Sequence, residues 1–282
     1  MKNQTKKTSP LLIIVAIVAI LFSACCKEKE FDLIEKELQI SGTIKGIIIE
    51  GPWEVIVTQD NENNSATIQY NVPDKKIKAE LRSNGYLFIR VHNLNNYHNV
   101  KLKANITAAE LKNIEGSGAT LIYTYGEFGT SADISLSGAS KIEGFACEGE
   151  YLKIDLSGAS RLKNCTFKGT RLDATLSGSS NATFRNIEVE KRCKVNGSGA
   201  SKFEGSGYAG ETSFFGSGSS FFHTFDLESE KLDIDLSGAS LAEVTVNQTI
   251  TGRLSGASTL KYKRATDVRV STSGASNIIK VE

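Results

Sequence analysis

The sequence predicts an all-β fold, a right-handed parallel β-helix with about 18–21 residues per coil. Three observations predict it. First, a turn of very small residues recurs: LKIDLSGAS at 152–160 returns almost letter for letter as LDIDLSGAS at 232–240, with LSGAS at 136–140, LSGSS at 176–180, GSGAS at 197–201 and GSGSS at 216–220. Its central glycine falls at Gly118, Gly138, Gly158, Gly178, Gly199, Gly218, Gly238, Gly256 and Gly274, with gaps of 18 to 21 residues, the mark of a solenoid. Second, residues on either side alternate apolar and polar, the period of a strand with one buried face. Third, no part of the repeat sustains a helical period of 3.6.

The chain begins with a segment of a different kind. Lys2, Lys6 and Lys7 precede an apolar run from Leu11 to Phe22, a length suited to a signal-peptide core and short for a spanning helix. LFSAC at 21–25 resembles the lipobox of bacterial lipoproteins, with Phe22 at the position that is usually Leu. The resemblance implies cleavage after residue 24 and diacylation of Cys25. Residues 25–37 then form a lipidated N-terminus and linker, whose Lys27-Glu28-Lys29-Glu30 resembles the surface-export signals of Bacteroidetes lipoproteins.

Residues 38–115 lack the period but keep the strands. GTIKGIIIEGPWEVIVTQ at 42–59 gives two apolar runs broken at Gly51-Pro52. Further strands are expected in 66–72, 77–91 and 100–108, and Asn84-Gly85 between alternating runs signals a hairpin. This part is expected to start and cap the solenoid, since end coils need covering.

Residues 116–282 form the repeat. Counted from each glycine, the inward columns are Ala132, Leu152, Leu172, Cys193 and Leu232 six places before; Ile134, Ile154, Val195, Phe214, Ile234 and Val270 four before; and Leu136, Leu156, Leu176, Leu236 and Leu254 two before. Four places after come Ile122, Ile142, Leu162, Phe203, Phe222, Leu260 and Ile278. Equivalent strands stack at about 4.8 Å, so nine coils make a rod roughly 40 Å long, and crossover chirality favours the right hand. Serine, glycine and alanine let each corner bend sharply and approach the next. Ser137, Ser157, Ser177, Ser198, Ser217, Ser237, Ser255 and Ser273 are expected to bond along the axis, and the repetition reads as structural before it reads as a ligand-accepting face. The outward series Asp133, Lys153, Asp173, Lys194 alternates in sign and suits cross-strand pairing. Cys147, Cys165 and Cys193 form no CxxC motif and an odd number; they read as small buried hydrophobes.

Taken together, Gly51-Pro52-Trp53-Glu54-Val55-Ile56-Val57, the Asn84-Gly85-Tyr86-Leu87 hairpin and the SGAS array resemble the putative auto-transporter adhesin, head GIN domain family of Bacteroidetes, over about residues 38–282. The resemblance implies an exported β-helix with adhesion as its inferred role, and brings no catalytic residues.

Function follows by elimination and by one irregularity. From Cys25 onward the chain carries 30 basic and 32 acidic residues, so it lacks the basic footprint of a nucleic-acid binder. Polysaccharide-active enzymes also use parallel β-helices, but they need clustered acids with a base or a calcium cage. His92, His98 and His223 are scattered, and Asp155 and Asp235 share a column roughly 19 Å apart. Asp233 and Asp235 share one face about 7 Å apart, yet the equivalent Lys153/Asp155 puts a lysine there. Metal, P-loop and nucleophile-elbow motifs are missing. No enzyme activity, cofactor or metal is therefore expected. The irregularity is aromatic: Phe214, Phe215, Phe221, Phe222 and Phe225 crowd one coil. Phe214 and Phe222 fall in inward columns, whereas Phe215, Phe221 and Leu241 fall outward and are expected to form an exposed contact patch. The sequence thus predicts a lipid-anchored envelope protein of the outer membrane, binding a glycan or protein. The alternative is a structural envelope protein or homo-oligomer without a discrete ligand.

Overall fold

The computed structural model describes residues 31–95, 97–129 and 131–282. The signal-peptide and Cys25 readings lie outside them. The chain is a β-solenoid; among the described residues the helical content is a 3-10 turn at Asp74–Lys76.

In the repeat, each coil has three short sides. Ile142 sits beside Leu162 on the side after the corner, Cys147 beside Phe167 on the third side, and Leu152 beside Leu172 on the side before the corner. Parallel pairing in this register continues to Asn277–Lys280, where Leu260 meets Ile278. Most residues of the four inward columns are fully buried, and together they make one continuous core. Val270 and Ile278, on the C-terminal rung described, are half-buried.

The corners stack as the small residues require. All nine central glycines hold φ between 70° and 83°, a left-handed conformation that disfavours a Cβ. From Gly138 onward, the residue after each central glycine donates its N–H to the glycine carbonyl of the preceding coil at 2.7 Å, as in Ala159 to Gly138 and Ser179 to Gly158. A Cβ on Gly158 would lie 2.7 Å from that Gly138 oxygen. The serine ladder has a form the sequence did not suggest. Hydroxyls of the first serine reach the carbonyl below only at 3.3–3.5 Å, as for Ser237 and Ser157. From Ser140 to Ser258 the last serine of the turn is the buried one: Ser160, Ser220 and Ser258 donate to the carbonyl of the first serine of their own corner at 2.7–2.8 Å. These bonds fix the corner locally, and coil-to-coil cohesion there is carried by backbone.

The N-terminal part holds β1 (Ile34–Glu37), β2 (Gly46–Glu50), β3 (Glu54–Gln59), β4 (Ser65–Tyr70), β5 (Ile77–Leu81), β6 (Tyr86–Val91), β7 (Leu102–Ala108), β8 (Asn113–Ser117) and β9 (Leu121–Tyr125). It is more solenoid than cap. β2 and β3 form a complete level, parallel to β8 and β9 on one side and to β6 and β7 on the other. Levels therefore stack in the order β6–β7, β2–β3, β8–β9, which is not chain order. Gly51 makes the corner between β2 and β3, and its N–H donates to the Ser117 carbonyl of the next level at 3.0 Å. The cap is antiparallel: β4 pairs with β7 and β1 with β4, while β5 pairs with β6 through the Asn84-Gly85 hairpin. Those strands cover the edges of the lowest level, which would otherwise template association.

Candidate functional site

Within the array, two consecutive corners depart from the Leu-Ser-Gly pattern. Gly197 and Gly216 stand where the coils on either side have an inward leucine, as Gly116 and Thr272 do at the first and last corners. At Gly216 a Cβ would lie 2.8 Å from both the Phe222 ring and the Leu236 side chain, whereas at Gly197 it would meet Ser201 and Ser220 at 3.0–3.1 Å. Phe214 and Phe222 stack with centroids 5.1 Å apart, and Phe203 lies 6.4 Å from Phe214. Phe214 and Phe222 are thus core, with Phe222 filling space left by the leucine missing at Gly216, while Phe215, Phe221 and Phe225 are half-buried.

The outward face beside those corners carries a groove of about 670 Å³. Its floor is one column of neighbouring rungs: Thr175 beside Asn196, Asn196 beside Phe215, Phe215 beside Asp235 and Asp235 beside Arg253. Corner residues Ser198, Ser217, Ser237 and Ser255 form its rim. Phe215 is half-buried, with the Lys194 ammonium 5.4 Å from its ring centroid. Arg253 donates from Nε and Nη2 to the same Asp235 oxygen, at 2.9 and 2.6 Å.

The residues of the predicted patch lie on the two sides of one corner. Phe221 and Leu241 are neighbours in register on the side after the corner, whereas Phe215 lies on the strand before it. All three are half-buried, since the rungs above and below cover the flanks of an outward side chain. Column alignment placed each residue on its strand correctly but could not give the angle through which the corner turns.

Beside Phe221 lies a cluster the sequence reading passed over. The His223 ring stacks on Phe221 with centroids 6.0 Å apart. His223 Nδ1 is 2.7 Å from Glu243 Oε2, and Lys261 Nζ donates to Glu243 Oε1 at 3.1 Å. Burial acts to raise the Glu243 pKa, but the hydrogen bonds from His223 and Lys261 outweigh it and hold the carboxyl below its ordinary range. The signal was present as the column five places after each glycine, which reads His223, Glu243, Lys261.

On the third side, Glu148, Glu150, Glu188 and Glu190 with Tyr208 line a second groove of about 620 Å³. Lys168 pairs with Glu148 there at 2.8 Å. The outward series before the corner also differs in detail from its prediction: Lys153 stands between Asp133 and Asp173 in register but bonds Asp155 of its own strand at 3.1 Å. Two places along a strand is about 7 Å, farther than a neighbouring rung at about 4.8 Å, yet the long lysine side chain reaches the Asp155 carboxylate.

Cys147, Cys165 and Cys193 are free and buried as expected, and desolvation pushes each thiol up to about 12. They pack and do not react. Among the described residues, no group of three or more His, Cys, Asp or Glu side chains could hold a metal ion.

A stacked, capped β-solenoid with grooved outer faces and a buried, inert set of thiols defines a scaffold that presents surface. The chain belongs to the family described as putative auto-transporter adhesin, head GIN domain, which matches residues 44–266. No curated protein matches it. Among solved structures it resembles a putative adhesin from Parabacteroides merdae, with 15% identity and TM-score 0.62, covering 89% of this chain and 97% of that one. A putative lipid binding protein from Parabacteroides distasonis is similar at 17% identity and TM-score 0.61, covering 89% and 97%. A putative adhesin from the same species has 15% identity and TM-score 0.54, covering 89% and 98%. At such identities these neighbours share the fold. The family description, that of an adhesin domain, points to a protein of the cell surface or envelope.

Proposed function

We propose that this protein is an outer-membrane lipoprotein, anchored through Cys25, that serves as an adhesin-type interaction module and binds a glycan or a protein on the side of its solenoid. The observation that carries the reading is the groove around Phe215. It is a concave surface in which an aromatic ring and several polar side chains face outward at successive rungs. A rigid rod spaces such groups at fixed intervals, which suits contact with an extended partner. The family description agrees with this role, and the apolar run ending in LFSAC supports export and anchoring.

Anchoring is tested by Cys25→Ser. The variant is expected to lose palmitate labelling and to leave the membrane fraction, and unchanged labelling would end the lipoprotein reading. Surface display is tested by external protease on intact cells, to which a surface adhesin must be accessible.

A further inference from the structure

The groove around Phe215 differs chemically from the other outer surfaces. On the third side the comparable groove is dominated by carboxylates, from Glu148, Glu150, Glu188 and Glu190. Around Phe215 the fixed charges of the floor are paired with each other, Asp235 with Arg253. The Asn196 amide and the Thr175 hydroxyl line the same groove and make no hydrogen bond to any described residue.

We infer that this groove binds a neutral oligosaccharide, stacked on Phe215 and hydrogen-bonded by Asn196, Thr175 and the Asp235–Arg253 pair. The inference rests on the reading of the protein as a surface interaction module. A sugar ring offers one face of C–H bonds, weakly positive, and an edge of hydroxyls that donate and accept. The π face of Phe215 is negative and suits the first. The ring is held in place by its rung neighbours, so stacking on it orders little that is not already ordered. For the hydroxyls, the amide of Asn196 supplies two donors and an acceptor. Both Arg253 bonds go to Oδ2 of Asp235, which leaves Oδ1 to accept from a hydroxyl. The remaining guanidinium N–H groups stay available beside it. The floor charges cancel and Lys194 beside the ring is a cation, so a neutral chain is favoured over a basic peptide.

Dimensions agree. From Thr175 to Arg253 the column crosses four rung spacings, roughly 19 Å, a stretch of several sugar units. A volume of about 670 Å³ lies in the usual range for ligand sites of about 300–1,000 Å³.

The test is titration of the full-length protein in detergent with short neutral oligomers of glucose, mannose, galactose and N-acetylglucosamine. At least one series is expected to bind. Phe215→Ala is expected to weaken that binding about tenfold or more, the loss typical of an aromatic anchor. Asn196→Ala is expected to weaken it measurably, while Tyr125→Ser, an exposed aromatic on the N-terminal part, leaves it unchanged. Should Phe215→Ala fold poorly, Asn196→Ala decides, since it removes only an outward amide. Failure of the folded protein to bind any of these sugars would overturn the inference, as would wild-type binding by both variants. If loss of the protein reduced cell adherence while Phe215→Ala did not, the groove would fall and the surface-module reading would stand. If the protein were sealed from external protease, the surface reading would fall, and the titration would still decide the groove.

Discussion

The repeat array and the N-terminal part are built on the same rungs by different routes. In the array, each coil lies on the one before it in sequence, so Leu152 meets Leu172 and Leu172 meets Cys193. In the N-terminal part, β2–β3 lies between β6–β7 and β8–β9, segments that come later in the chain. The array can add coils by local pairing. The N-terminal levels close only when distant segments return, with the antiparallel strands β4 and β5 made along the way. A period in the sequence therefore reports that coils follow chain order, and its loss does not mean that the coils stop.

Trp53 is where this difference is most testable. It follows the Gly51-Pro52 corner and is fully buried, with its Nε1 unpaired. Trp53→Ala is expected to cost about 3–5 kcal/mol, as for other buried aromatic truncations, the largest effect of the set. Nearest-neighbour stacking confines the damage. Hydrogen exchange is expected to rise across β2–β9 while the coils beyond Gly158 keep most of their protection. Uniform loss over the whole rod would show that the two regions fold as one unit. Trp53→Phe removes the unpaired N–H together with one ring, so it is expected to cost much less than the alanine change.

Much of the array was legible in sequence because its physics repeats. One glycine per coil must adopt a left-handed conformation, and each inward position meets its own kind above and below, so columns could be aligned by counting. Phe214 and Phe222 were placed inside on that ground alone. The stacking order of β2–β3 was not legible, because no residue in GIIIE or EVIVTQ marks which later strand it will meet. The candidate site was half legible. Phe215 was singled out as outward, but its groove partners Asn196 and Arg253 became visible only with the register that sets them beside Phe215 and Asp235. The His223, Glu243 and Lys261 column was countable five places after the glycine, but only the register shows that its three side chains meet.

Corner packing sets the second prediction. Gly158→Val puts a branched side chain at φ 70° with its Cβ 2.7 Å from the Gly138 carbonyl oxygen. That oxygen accepts the Ala159 N–H at 2.7 Å and cannot withdraw without parting the rungs. Left-handed strain and overpacking together give about 2–5 kcal/mol. Gly42, in the N-terminal part, has nothing within 4 Å of an added Cβ. Gly42→Val is expected to change stability by under about 0.5 kcal/mol. Denaturant midpoints of the two variants compare a glycine that the stack requires with one that it does not. Equal midpoints would mean that the corner relaxes more readily than its backbone contacts imply.

The smallest effect concerns charge. Glu243 in the array is mostly buried between His223 and Lys261, whereas Glu54 pairs with Lys103 in solvent on the N-terminal part. The folded Glu243 carboxyl has its pKa held below the ordinary glutamate value of 4.5. A carboxyl depressed in the folded state adds stability above its unfolded pKa and loses it as pH falls through the folded one. Wild-type stability should therefore drop as the solution is taken from neutral to below pH 4.5, and Glu243→Gln should flatten that drop. At neutral pH the same variant is expected to cost about 1 kcal/mol, because the amide can still accept from one partner but no longer as an anion. Lys103→Ala removes an exposed ion pair and is expected to cost under about 0.5 kcal/mol, most of it gone in high salt. A pH profile unchanged by Glu243→Gln would show that the anion gains nothing from its two partners beyond what water gives it. The His223 cluster would then be a product of column packing, with no electrostatic share in the stability of the array.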